Sequence, residues 1–297
     1  MHIDLLVTLA GLVVGFVVGL TGMGGGALMT PILVVLFGVQ PLAAVSSDLV
    51  AAVVMKPIGG GVHLRRGTVH LGLVRLLCLG SVPSAFAGVL ILKSMGHGER
   101  LQHRVSLALG VALLVAAGGI LAKAFLQRGR GVAGAVHDIE IKRGRTIAIG
   151  ALGGLVVGMT SVGSGSLMIV LLLMLYPTLQ ASALVGTDLV QAVPLVASAA
   201  LGHILFGDFQ LSLTTSLLLG SVPGVYLGAR ASSRAPDGVI RPVLVFVLVL
   251  SGLKLLGTPV GALAAVAAVG VLALAVAGVR YAKRPGPKAR PSRTSVT

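Results

Sequence analysis

Charge is what this chain has least of. Only 10% of its 297 residues are charged, against roughly 25% in ordinary soluble domains. A soluble globular domain is therefore excluded. Acidic residues are the scarcest, with eight Asp and Glu against 23 Lys and Arg. The single cysteine, Cys78, excludes an internal disulfide and a Cys-rich metal site. The N-terminal Met1-His-Ile-Asp4 lacks the basic stretch of a signal peptide, so the first segment is expected to stay in the mature protein. No Ser/His/Asp triad or metal-ligand cluster stands at workable spacing, which disfavours an enzyme. No cofactor or metal is expected.

Apolar residues are what is there: 56% of the chain, with a mean hydropathy of +1.03. Several runs reach the ~20 residues that span a bilayer. The pattern is that of an all-α polytopic membrane protein, because a β-barrel would show short alternating segments. Glycine is abundant, at 43 residues, as suits helices packed closely in lipid. The net charge of +15 reads as positive-inside topology. The basic residues lie in loops and a tail rather than in one folded patch, so no nucleic-acid partner is expected.

One glycine-rich stretch interrupts the first apolar run and then returns. Gly19-Leu-Thr-Gly-Met-Gly-Gly-Gly-Ala-Leu-Met29 is matched 139 residues later by Gly158-Met-Thr-Ser-Val-Gly-Ser-Gly-Ser-Leu-Met168. Glycine loses more backbone freedom in a helix than any other residue, so a helix breaks here. Inside a membrane a broken helix is tolerated only against protein or a water-filled cavity. No Lys-Ser/Thr follows either run, so neither is a nucleotide loop. Paired breaks in two halves mark a binding site in the membrane interior.

The match extends beyond the breaks. Ser47-Asp-Leu-Val50 pairs with Thr187-Asp-Leu-Val190, His63 with His203, and Gly80-Ser-Val-Pro83 with Gly220-Ser-Val-Pro223, all 140 apart. This is an internal duplication. A first membrane repeat spans 1–126 and a connection spans 127–145. A second repeat spans 146–257, an extra transmembrane helix 258–280, and a disordered basic tail 281–297. Residues 5–37 are too long for one ~30 Å crossing, so each broken segment is expected to be a hairpin of two shorter helices. With hairpins the halves are inverted, and sixteen Lys/Arg fall on one side against four on the other. With straight crossings the split is eight against twelve. The positive-inside rule favours inversion, with the C-terminus in the cytoplasm.

Asp48 and Asp188 lie inside apolar helices at the same place in each repeat. A charge near the bilayer centre costs at least about 2.5–3.5 kcal/mol, so it is held by a partner or a cavity. They read as a proton-titrating or substrate-orienting pair, or as caps if the helices begin late. Lys56, eight residues after Asp48, is matched by Val196 in the other repeat and so breaks the symmetry. It attracts an anion, pairs with Asp188, or snorkels to the surface. His63 and His203 suggest proton handling, or are residues at helix ends. Gln191 and Ser198 face a cavity or bond across helices. At the breaks, Gly22, Gly24, Gly25 and Gly26, with Gly163 and Gly165, would expose backbone donors at the helices starting near 26 and 165. Thr21, Thr160, Ser161 and Ser164 add hydroxyls there, and Ser166 lies beside them. Plain Gly-x-x-x-Gly helix packing is the alternative reading of the glycines.

At these residues the chain resembles the TauE/SafE sulfite exporter family, also called the 4-toluene sulfonate uptake permease family. The resemblance rests on the duplicated Gly-rich segment, the Ser/Thr-Asp-Leu-Val helices, His63-Leu-Arg-Arg-Gly-Thr-Val69, and Gly80-Ser-Val-Pro83 followed by Gly88. It covers roughly 5–256. It implies a cell-membrane permease that moves small sulfur-containing anions, such as sulfite, sulfoacetate or thiosulfate, with protons as the coupling partner. The same features also suit a passive anion channel or a permease for another small organic anion.

Overall fold

A computed structural model describes residues 4–21, 25–96, 98–126, 140–231 and 237–282. These residues form helices, with no strand among them. The elements are α1 Leu5–Thr21, a short 3-10 turn Gly25–Ala27, α2 Met29–Val35, α3 Pro41–Arg65, α4 Leu71–Ser94 and α5 Glu99–Leu126. They continue as α6 Arg143–Thr160, α7 Leu167–Leu175, α8 Ala181–Phe206, α9 Leu211–Ala231, α10 Asp237–Leu255 and α11 Val260–Ala282. Among the described residues, five of these helices, α3, α4, α5, α8 and α9, contain stretches long and apolar enough to cross a membrane.

The helix ends follow local chemistry. Asp4 caps α1, its carboxylate accepting from the amides of Leu6 at 2.9 Å and Val7 at 3.2 Å. Pro41 opens α3 at a position where its missing N–H costs nothing. α6 starts at Arg143, three residues before the expected edge of the connection. Of the connection, the part 127–139 lies outside the described residues. So does most of the basic tail, 283–297, while α11 continues to Ala282.

Both long apolar segments break where the glycines are, at Thr21 and at Thr160. The second one folds back on itself. Met168, at the start of α7, packs its Cε against Gly153, more than a turn back along α6. Tyr176, at the end of α7, meets the start of α6: its hydroxyl accepts from the Lys142 amide at 3.0 Å and lies 2.5 Å from Thr146 Oγ1. Ser161 makes the corner in the left-handed region, at φ 59°, and the glycines at 163 and 165 also take positive φ. At those two positions any side chain would be strained.

The packing exchanges partners between the repeats. α1 packs on α9, and α6 packs on α4. Both seams are stitched by glycines at four-residue spacing. A Cβ on Gly150, Gly154 or Gly158 would strike the backbone of Leu77, Ser81 or Ala85. A Cβ on Gly220, Gly224 or Gly228 would strike Thr8, Leu12 or Phe16. Both pairs therefore run parallel. Here the plain-packing reading of Gly-x-x-x-Gly holds, letting backbones approach without a hydrophobic driving force.

At the centre α3 packs on α8, and they run antiparallel. Ser46 near the start of α3 bonds His203 near the end of α8. Gly60 packs on Leu189, and Gly186 near the start of α8 sits against His63 near the end of α3. α5 and α10 also pack antiparallel, with Gly110 against Leu256 and Leu114 against Gly252. α11 packs on α10.

Candidate functional site

The two breaks touch. Gly26 lies so close to Ser161 that a Cβ there would stand 2.6 Å from Ser161 Oγ and closer still to its carbonyl. Only glycine fits that approach. Gly25 is buried beside the same point, with its Cβ direction 3.9 Å from Asp48 Oδ1. Gly22 and Gly24 lie outside the described residues, as does the side chain of Thr21.

Asp48 is the eighth residue of α3, and Asp188 the eighth of α8. Neither caps its helix, so the capping alternative falls. The Asp48 carboxylate is fully buried. Its Oδ2 accepts from Thr30 Oγ1 at 3.0 Å and from Ser161 Oγ at 2.6 Å. Its Oδ1, equally buried, meets no hydrogen-bond partner among the described residues. A buried acceptor left unpaired costs about 1–3 kcal/mol.

Lys56 is buried too, which removes the snorkelling alternative. Its ammonium donates to Ser164 Oγ and lies within electrostatic range of both Asp188 and Asp48. Helix rise puts it about 12 Å along α3 from Asp48. The antiparallel register sets Asp188 roughly 7 Å further on, near the level of Gly61. One cation thus stands between two carboxylates. Asp188, also buried, accepts from Gln191 Nε2 at 3.1 Å, and Gln191 Oε1 accepts from Ser81 Oγ at 3.2 Å.

His203 is fully buried where three helices meet. Its Nε2 is 2.8 Å from the Gly158 carbonyl, and its Nδ1 is 2.8 Å from Ser46 Oγ. A carbonyl only accepts, so Nε2 carries a hydrogen, and in the neutral ring Nδ1 accepts from Ser46. His63 is half-buried and bonds Thr68 Oγ1 at 2.9 Å. Thr160 turns back to its own helix, donating to the Val156 carbonyl at 2.6 Å and accepting from the Val162 amide at 3.2 Å. Ser166 Oγ is buried with no partner among the described residues.

Several backbone amides at the breaks are engaged locally. Ser161 N bonds Val157 O at 2.7 Å, Leu28 N bonds Gly25 O at 3.0 Å, and Met168 N bonds Gly163 O at 3.2 Å. The helices after the breaks start at Met29 and Leu167, later than 26 and 165. What meets the charges is side-chain hydroxyl. Thr30 and Ser46 were not singled out from the sequence. The signal was present: the repeat places Ile169 opposite Thr30 and Gly186 opposite Ser46, the same break of symmetry that marks Lys56. Ser198 bonds across helices, to Val82 O at 2.7 Å. Among the described residues no three His, Cys, Asp or Glu side chains are grouped to hold a metal ion.

A family model described as sulfite exporter TauE/SafE matches residues 7–255. The chain belongs to the TauE/SafE sulfite exporter family. Two relatives are both from Bacillus subtilis (strain 168). The probable membrane transporter protein YjnA is 39% identical over 252 residues, 84% of this chain and 98% of the relative. The probable membrane transporter protein YdhB is 24% identical over 254 residues, 85% of this chain and all of the relative. No solved structure matches the chain. The chain is thus a membrane transporter of the TauE/SafE family, with a small-molecule substrate. The family match takes in both breaks, both aspartates and Lys56, and stops short of α11.

Proposed function

We propose that the protein is a proton-coupled secondary transporter of the cell membrane that moves small sulfur-containing anions such as sulfite or sulfoacetate. The observation that carries this reading is the buried cluster of Lys56, Ser164, Asp48, Ser161 and Thr30, joining α3 to both breaks. A buried cation with hydroxyl donors suits an oxyanion, and buried carboxylates beside it suit proton exchange. Lys56, Ser161 and Ser164, with Thr21, Gly22, Gly24, Gly25, Gly26, Thr160, Gly163 and Gly165 of the breaks, form the anion site. Asp48, Asp188 and His203 handle protons, with His63 at the outer end of the same path.

The two repeats are inverted. Antiparallel packing of the equivalent helices α3 and α8 supports this, as does that of α5 and α10: a two-fold axis in the membrane plane reverses equivalent helices. Parallel repeats would leave them parallel. Transport then proceeds by rocking of one repeat against the other around the break contact, with the C-terminus in the cytoplasm.

The test is flux of radiolabelled sulfite into liposomes holding purified protein. Uptake above empty vesicles, accelerated by a pH gradient, is expected. Flux that follows membrane voltage and ignores the pH gradient identifies a channel instead. Absence of flux for every sulfur oxyanion tried refutes the reading.

A further inference from the structure

The Asp48 carboxylate sits on the donors that an incoming anion needs. Ser161 Oγ, at the corner of the second break, gives its hydrogen to Asp48 Oδ2 at 2.6 Å. Thr30 Oγ1, on α2, gives its own to the same oxygen at 3.0 Å. An ionised carboxylate is acceptor-only and takes both. The second oxygen, Oδ1, is buried toward Gly25 without a partner among the described residues. With Gly26 packed directly on Ser161, the hydroxyls and the carboxylate face one another beside that contact.

We infer that Asp48 is a resident anion: it holds, on the hydroxyls of Thr30 and Ser161, the place taken by one end of a carried oxyanion when Asp48 gains a proton. Lys56 and Ser164 are the second arm of that site. This rests on the reading of the protein as an anion transporter and adds a substrate class and a coupling rule. A place that fits a carboxylate fits a small oxyanion of single charge, with oxygens spaced like those of a carboxylate or sulfonate. Among sulfite species it favours hydrogen sulfite over the dianion.

Charge balance gives the rule. Asp188 carries the same charge before and after binding, so the balance is taken on Asp48 and Lys56, which sum to zero before the anion enters. After one proton and one monoanion enter, protonated Asp48, Lys56 and the anion again sum to zero. A dianion would leave an uncompensated charge in the bilayer interior, where it is costly. The other groups facing this site are Asp188 and His203 on α8. Asp188 is engaged by Gln191, and His203 by Ser46 and Gly158. No further carboxylate or cation bonds to Asp48 among the described residues. One proton and one monoanion therefore travel together, without net charge.

The experiment measures methanesulfonate binding to the purified full chain by calorimetry between pH 5.5 and 8.5, because methanesulfonate does not titrate in that range. In the native protein affinity is expected to fall with rising pH, by about tenfold per unit in the alkaline arm, as one proton must enter with each anion. Asp48→Asn, a neutral mimic of the protonated acid, is expected to bind with no pH slope. Thr30→Val is expected to weaken binding about tenfold and Thr30→Ser to restore it, the loss of one charge-assisted hydrogen bond. This pair keeps the inference testable if Asp48→Asn does not fold. A native pH slope in Asp48→Asn overturns the inference, as does a flat profile in the native protein. Sulfite flux that methanesulfonate does not inhibit also overturns it and leaves the transporter standing. PH-sloped methanesulfonate binding without flux of any sulfur anion supports the resident anion and removes the transport reading.

Discussion

The two repeats match residue for residue along much of their length, yet the helices that carry their aspartates differ in charge: α3 has Lys56 where α8 has Val196. On the first side α3 brings Ser46, Asp48 and Lys56, and the second break brings Ser161 and Ser164. On the other side α8 brings Gly186, Asp188 and Val196, and the first break has Gly22 and Gly25 at the matching places. Ala51 stands where Gln191 stands in the other repeat. The consequence shows in the bonding. Ser81 bonds Gln191, whereas its equivalent Ser221 is buried without a partner among the described residues. His203 bonds Ser46, whereas His63, facing Gly186, turns to Thr68. The duplicated frame carries different polar groups on its two sides: Ser46 and Lys56 on α3, Gln191 on α8.

The comparison breaks hardest at the contact between the breaks. Gly26→Ala drives a methyl into the Ser161 backbone, where Gly61→Ala meets nothing within 4 Å. Gly26→Ala is expected to abolish most folded protein in detergent, read by size exclusion and thermal melting. Gly61→Ala is expected to stay within about 0.5 kcal/mol of the parent or gain slightly, since alanine favours helix. Equal behaviour would mean the breaks do not touch.

Next in size is the buried cation Lys56. Lys56→Met leaves Asp48 and Asp188 without it, and breaking such a buried arrangement costs about 3–5 kcal/mol. Sulfite flux is expected to fall below detection. Adding Val196→Lys to that variant is expected not to restore flux, because Gly25 stands where Ser164 would receive the ammonium. Restored flux would make the two sides interchangeable.

A smaller effect is expected on the other side. Gln191→Leu removes one hydrogen bond from Asp188 and one from Ser81, a loss of about 1–3 kcal/mol, and lowers the melting temperature while Asp48→Asn alters the pH dependence of binding. The smallest contrast is between the histidines. His203→Gln removes two buried bonds and is expected to cost about 1–2 kcal/mol. His63→Gln, half-exposed, is expected to stay within about 0.5 kcal/mol. Equal losses in thermal melting would erase the asymmetry at that pair.

Much of this was legible in the residues themselves. Apolar length gave the spanning helices, because a bilayer core admits no unsatisfied backbone. The duplicated glycines located both breaks, because glycine is the residue that helix entropy penalises most. Asp48, Asp188 and Lys56 announced themselves by charge in an apolar run. Thr30 and Ser46 did not, because a hydroxyl in a membrane helix satisfies itself on its own backbone as readily as on a partner. Thr160 does so, and Ser161, one residue on, does not.

The sequence by itself determined that the chain lies in a membrane, that it is doubled, and where each half must bend. These properties depend on hydropathy and backbone entropy, which are local. Only the tertiary structure decided that Gly26 meets Ser161, that one lysine stands between two aspartates, and that the carboxylate of Asp48 is held by hydroxyls from α2 and from the other repeat's break. Those contacts depend on the antiparallel register of α3 on α8 and on the folding back of α7 along α6. Such register is set by shape complementarity between distant segments, which local sequence pattern does not encode.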